Sequence, residues 1–295
     1  MKVLVTGAGG MVGRAVVKYC SSIGDEVVAQ DHGTLDISDP HLVMQAIQDD
    51  KPEAVFNCAA WTDVDGCELD HERAYAVNAA GPENLAKASN VVGATFVTIS
   101  TDYVFDGKKT GFYTQQDEPH PVSVYGVSKL EGEQRAQRAY PGSTVVVRTG
   151  FVFGVGGTNF LSTIVARARR GEKLKAISDS YGTPTYAWDL AVRLRELAQL
   201  PHTGIFHVTN AGDGVSYEEF ARAALVAGGI NPASLERVVT DSLHRPAPRP
   251  KNSRLRCLRS GETGLPPLPF WKDSLGDFVT LAAPSGAPAG VSAKD

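Results

Sequence analysis

Tyr125 and Lys129, four residues apart, carry the most definite chemistry in the sequence. On one helix they share a face, about one turn apart. A free phenol, with a pKa near 10, is a poor acid–base group at neutrality. A neighbouring ammonium stabilises the phenolate and lowers that value, so the pair can move a proton to or from a reacting oxygen. The spacing alone is common and usually marks a packed ring beside a solvated charge. Its context here is more specific. Ser100 and Thr101 stand at the end of an apolar run, where a hydroxyl can hydrogen-bond a reacting carbonyl oxygen. Far upstream, Gly7, Gly10 and Gly13 sit three apart between the apolar run 3–6 and a helical pattern through Met11, Val12, Ala15, Val16 and Tyr19. Such a turn offers backbone N–H groups and a helix N-terminus to a phosphate, and Asp31 after a second apolar run suits a ribose hydroxyl.

The elements that must hold these residues alternate. The pattern predicts strands at 2–6, 26–30, 54–60, 95–100 and 144–148. It predicts helices after the glycine turn, from Pro40, over 70–92 and over 123–139. Strand–helix alternation argues for an α/β fold, a doubly wound parallel sheet with ligands at the strand C-terminal ends. Residues 1–150 are expected to form this unit. Residues 151–280 are expected to form mainly a smaller substrate lobe, some segments rejoining the sheet, with helices at 160–170, 187–200 and 216–227 and strands at 174–177 and 205–208. Ser216 with Glu219 forms a capping box. The loop 244–250 holds Arg245 and Arg249 among prolines and reads either as a connector or as a site for a phosphorylated group. The stretch 281–295, rich in Ala, Gly, Pro and Ser, reads as a disordered tail.

The chain has 295 residues, 42% hydrophobic and 21% charged, with a net charge of −4, values ordinary for a globular enzyme and unsuited to a nucleic-acid partner. No apolar run approaches the roughly 20 residues of a membrane span, so no membrane partner is expected. With the first strand starting at Lys2, a leader is not expected and a cytoplasmic location is. The four cysteines form no CxxC pair and suggest neither metal nor disulfide.

Together, Thr6-Gly7-x-x-Gly10-x-x-Gly13, Asn57-x-Ala59-Ala60, Ser100-Thr101 and Tyr125-x-x-x-Lys129 resemble the extended short-chain dehydrogenase/reductases, over residues 1 to about 277. Within that superfamily, Ser100–Gly107, Thr62-x-Val64-Asp65, Val124–Glu133, Tyr181-Gly182-x-Pro184-Thr185 and Arg249-Pro250-x-Asn252-Ser253-Arg254-Leu255 resemble the dTDP-4-dehydrorhamnose reductase family. The resemblance implies a Rossmann-type sheet and NADPH- or NADH-dependent reduction of the C4 keto group of dTDP-4-dehydro-β-L-rhamnose to dTDP-β-L-rhamnose. It implies Tyr125 as proton donor, Lys129 as the group that lowers the Tyr125 pKa and holds the nicotinamide ribose, and Thr101 as the donor that polarises the carbonyl. It places Gly7, Gly10, Met11, Val12 and Gly13 at the pyrophosphate, Asp31 at the ribose, and Asp36 and Ile37 beside the adenine. Ala60, Trp61 and Thr62 follow the cofactor, and Thr101, Asp102 and Phe151 face the sugar.

Two departures bear on function. Phe151 stands where the family often has Trp, which leaves room for another dTDP-keto-sugar, reduced or epimerised. Ala15 stands where some relatives place a metal-binding glutamate at a dimer contact, so no metal is expected, in a monomer or homodimer. Asp102-Tyr103 replaces the Asp-Glu pair of related dehydratases, which argues against water elimination. A non-catalytic relative, the regulatory subunit of methionine adenosyltransferase, is a competing reading, disfavoured by the presence of Thr101, Tyr125 and Lys129.

Overall fold

The computed structural model describes residues 1–281. Its first half runs β1 (Lys2–Thr6), α1 (Met11–Ser22), β2 (Glu26–Gln30), α2 (Pro40–Asp50), β3 (Ala54–Asn57), α3 (Val64–Leu69), α4 (His71–Tyr75), a π-helical turn (Ala76–Ala80), α5 (Gly81–Val92), β4 (Thr95–Thr101), α6 (Val124–Ala139) and β5 (Thr144–Thr149). The second half runs β6 (Val152–Phe153), α7 (Phe160–Arg169), β7 (Leu174–Ile177), β8 (Tyr181–Gly182), β9 (Thr185–Tyr186), α8 (Ala187–Leu197), β10 (Gly204–His207), β11 (Val215–Ser216), α9 (Tyr217–Ala227), β12 (Leu235–Val238), α10 (Ser260–Thr263) and α11 (Trp271–Leu281).

Six strands form one sheet in the order β10-β5-β4-β3-β1-β2, every pairing parallel. Side chains alternate across it, as the period of two in a strand requires. Val3, Val5, Phe56 and Val97 pack on one face with α1 and α8, while Leu4, Val55 and Phe96 pack on the other with α2, α5 and α6. This is a Rossmann-type doubly wound sheet. Strand order reverses between β1 and β3, so the crevice at their C-terminal ends is where ligands bind in such sheets. Beyond β5, a separate aromatic core joins Phe153, Leu161, Tyr186, Phe220, Trp271 and Phe278.

The expected helix over 70–92 is three pieces. Asp70 caps α4, and the π turn precedes Pro82, which sits in the first turn of α5 where its missing N–H costs nothing. The extra residue of the π turn carries Asn78 inward, where its amide holds both the N–H and the carbonyl of Trp61 and reaches Ser128. The strand expected over 54–60 stops at Asn57, whose side chain joins Thr6 and Thr98 across the three central strands. Strand β12, which pairs with β7, and helix α11 carry too little pattern to be read from sequence alone. The capping box on α9 is present. The tail expected over 281–295 lies outside the described residues except for Leu281, which ends α11.

Candidate active site

The glycine turn is built by contact before it is built for a ligand. Gly7 has φ +64°, and a Cβ there would lie 2.6 Å from the Ala59 nitrogen. A Cβ on Gly13 would fall on the Gly7 carbonyl oxygen, so α1 can approach the turn only with glycine at 13. Gly10 is less constrained: its Cβ would lie 3.3 Å from that oxygen. Gly13→Ala is therefore expected to lower the thermal midpoint clearly and Gly10→Ala only slightly, as read by calorimetry; equal midpoints would refute the contact account.

Gly10 begins α1 with no side-chain cap, which leaves the first N–H groups of the helix to whatever enters. Gly10, Met11, Val12 and Gly13 line a cleft of about 600 Å³ together with Ala60, Thr62, Thr101, Asp102, Tyr125, Lys129 and Phe151. An uncapped helix N-terminus opening on such a cleft fits the diphosphate of a dinucleotide. Asn159 donates to the Gly154 carbonyl and the Met11 sulfur, which folds the 154–159 segment over the start of α1.

The other expected cofactor residues, Gly7, Asp31, Asp36, Ile37 and Trp61, are not among those that line this cleft. Asp31, exposed at the end of β2, borders Gly9 and accepts the Gly33 N–H at 2.9 Å. The Arg14 Nε–H donates to the Gly9 carbonyl at 2.8 Å. Asp36 accepts from Ser38. Ile37 is buried in the core under α5 rather than presented to the cleft. Trp61 is clamped by Asn78, with the Arg73 guanidinium over its ring at 4.5 Å.

β4 and α6 deliver the reactive groups. Ser123 caps α6, and Glu68 accepts the Val124 N–H at 2.7 Å, so the helix starts at a set height beside the end of β4. Tyr125 and Lys129 share its cleft-facing side. The Tyr125 phenol is hydrogen-bonded to Thr101, and burial pushes it above its ordinary value, with Asp102 and Tyr103 adding to the rise. Lys129 is 5% exposed and donates a hydrogen bond to the Ile99 carbonyl at 2.8 Å. Burial lowers its ammonium to about 8 against the attraction of Glu133 and Cys58. The expected lowering of Tyr125 by Lys129 is not among the main influences on the phenol, because the ammonium is turned towards β4.

Ser100 and Thr101 divide their work. Ser100 donates to the buried Glu133 carboxylate, itself paired with Arg148. Thr101 donates to Asp102 Oδ1 at 3.1 Å and accepts the Tyr103 N–H at 3.1 Å. Asp102 is 3% exposed, and burial raises it to about 6. Phe151, at φ +44°, stacks on Tyr217 at 4.1 Å between centroids.

Tyr217 escapes sequence reasoning because it follows a helix cap with no chemical pattern around it. Its hydroxyl is hydrogen-bonded to that of Tyr103, whose ring meets Tyr125 edge-on. In the 244–250 loop, Arg249 is committed to a bidentate pair with Asp65, which also accepts the Ala247 N–H. Arg249 is therefore held as a connector, while Arg245 of the same loop acts on the Tyr103 and Tyr217 phenols.

Among the described residues, no helix is long and apolar enough to cross a membrane. The sequence model for the RmlD substrate binding domain matches residues 1–283. A dTDP-4-dehydrorhamnose reductase of Streptomyces griseus is 38% identical over 97% of this chain and 95% of its own. The crystal structure of a dTDP-4-dehydrorhamnose reductase from Clostridium acetobutylicum superposes with a TM-score of 0.90 at 38% identity, covering 95% of this chain and 99% of that one. That of the Bacillus anthracis enzyme in complex with NADP gives 0.90 at 33% identity, covering 95% and 100%. On these matches the chain belongs to the RmlD family, alongside the dTDP-4-dehydrorhamnose reductases.

Proposed function

We propose that the protein reduces the C4 keto group of dTDP-4-dehydro-β-L-rhamnose to dTDP-β-L-rhamnose with NADPH or NADH. The observation that carries this is the meeting of Thr101, Tyr125 and Lys129 in the cleft that opens on the uncapped start of α1. A bound nicotinamide supplies hydride to the carbonyl carbon. Tyr125 gives its phenolic proton to the oxygen as negative charge grows there. Thr101 donates a hydrogen bond to the same oxygen. Lys129 holds the nicotinamide ribose and keeps a positive charge on the Tyr125 side of the cleft. Gly10, Met11, Val12 and Gly13 take the diphosphate, and Asp102, Phe151 and Tyr217 border the sugar. The separate core around Phe153, Phe220 and Trp271 supports a substrate lobe mainly at 151–280, while Leu190, Leu194 and Phe206 rejoin the sheet core of the dinucleotide-binding unit at 1–150.

Purified protein with dTDP-4-dehydrorhamnose should oxidise NADPH or NADH, followed by absorbance, and form dTDP-rhamnose on chromatography. Oxidation only with a different dTDP-keto-sugar would reassign the substrate, and none with any would remove the enzymatic reading.

Two further outcomes are expected. Lys129 loses its charge as pH rises through about 8, so kcat/KM, which reports the free enzyme, should fall above that pH. A profile flat to pH 9.5 would contradict this role. Asp31 repels a 2′-phosphate, so Asp31→Ser should raise the NADPH:NADH ratio of kcat/KM by about tenfold, equivalent to roughly 1.4 kcal/mol; an unchanged ratio would place the discrimination elsewhere.

A further inference from the structure

Two sequence motifs with no role in hydride or proton transfer meet the cleft from behind. Residues 247–255 run as a strap against three segments of the dinucleotide-binding unit. Arg249 grips Asp65, Asn252 donates to the Lys109 and Gly111 carbonyls, and the Tyr113 N–H donates to the Arg254 carbonyl at 2.7 Å. Between these anchors stands Ser253, 2% exposed, its N–H bonded to the Tyr181 carbonyl at 2.8 Å. Its hydroxyl donates to Asp102 Oδ2. The other oxygen of that carboxyl accepts from Thr101. Gly150 closes the third side, where any Cβ would overlap Asp102 Oδ2.

We infer that Ser253 is a positioning residue for the reduction, acting through Asp102 to free the Thr101 hydroxyl for the substrate oxygen. This rests on the reductase reading above. Thr101 has one hydroxyl proton. In the arrangement found, that proton points at Asp102; during reduction it must turn to the oxygen that is gaining charge. Asp102 is then left buried with one side-chain donor, Ser253, plus the backbone amides of Asp102 and Tyr103. The groups facing it from the surrounding elements are the hydroxyls of Thr101 and Ser253 and the phenols of Tyr103, Tyr125 and Tyr217. Arg245 and Arg249 act on those phenols from farther out, and no cation is among the main influences on the carboxyl itself. Without Ser253 the carboxylate either keeps the Thr101 proton or takes one from solvent. The first slows the chemical step, the second relieves it, and neither touches nucleotide binding.

The test compares wild type, Ser253→Ala and Ser253→Thr over pH 5–9. Ser253→Ala should lower kcat about ten- to a hundredfold, the effect of one hydrogen bond to a charged group, with KM within about twofold. The Ser253 bond favours ionised Asp102, so its loss raises the carboxyl above about 6, and because neutral Asp102 releases Thr101 the kcat deficit of Ser253→Ala should shrink as pH falls below that value. Ser253→Thr retains the hydroxyl and should recover both. Melting curves at pH 7.5 separate misfolding from mispositioning. A kcat and pH profile like wild type in Ser253→Ala would overturn the inference, as would a fall in kcat that tracks only lost folded protein. Infrared titration of Asp102 in the cofactor-free protein, assigned with Asp102→Asn, gives a readout independent of turnover. If wild type proved inactive as a reductase, that titration would still show whether Ser253 controls Asp102, and an unshifted carboxyl would sink the inference alone.

Discussion

Tyr125→Phe is expected to lower kcat by a factor of about 10²–10⁴, the range that a positioned proton donor contributes. The change removes one hydroxyl and keeps the ring, whose edge packs against Tyr103. The fold should therefore survive, with a melting midpoint close to wild type. Cofactor affinity should hold as well, because the turn at Gly10 to Gly13 and the start of α1 are untouched. The loss should fall on kcat, since the proton matters only once charge develops on the substrate oxygen. Turnover undiminished in Tyr125→Phe would move the proton donor elsewhere. Tyr103 and Tyr217, whose hydroxyls bond each other within the same wall, would be the first replacements to examine.

The largest effect on stability is expected from Arg148→Ala. Arg148 and Glu133 form a bidentate pair with side chains 3% and 2% exposed. Glu133 also accepts from Ser100, and Arg148 lies over the Phe105 ring at 5.3 Å. Removing the guanidinium leaves a carboxylate in the interior with one neutral donor. Breaking such a pair costs on the order of 3–5 kcal/mol. The double change Arg148→Met with Glu133→Leu removes both charges and should cost much less, because the penalty lies in the orphaned partner. Urea unfolding of the three proteins checks this. A single variant within about 1 kcal/mol of wild type would mean that water reaches the site. Because Glu133 attracts the Lys129 ammonium and Ser100 precedes Thr101, the damage should extend to turnover in protein that remains folded.

The sequence shows the frame of this molecule better than its inner wiring. Sheet strands and the helix after the glycine turn are legible because apolar periodicity and Gly7, Gly10 and Gly13 are local signals. The meeting of Thr101, Tyr125 and Lys129 in one cleft is legible because Thr101 ends a strand and Tyr125 and Lys129 sit one helical turn apart. What joins them is not local. Asp65 reaches Arg249 across 184 residues, and Asp102 reaches Ser253 across 151. Both pairs appear as motif residues whose partners only the tertiary fold reveals. Charge direction is likewise hidden in the sequence. The expectation that Lys129 acts directly on Tyr125 follows from spacing, whereas the ammonium is drawn to Ile99 by a carbonyl at the end of β4. The π turn at 76–80 disappears inside a continuous helical pattern, although it is what brings Asn78 to Trp61.

The central claim is hydride transfer to a sugar C4 with proton delivery from Tyr125. Its most direct measurement is a single-turnover reaction of dTDP-4-dehydrorhamnose with NADPH deuterated at the transferred position, followed by mass spectrometry and NMR of the product. The account predicts dTDP-rhamnose carrying one deuterium, at sugar C4, and strongly slowed label transfer in Tyr125→Phe. Deuterium absent from C4, or equal label transfer by the two proteins, would contradict it.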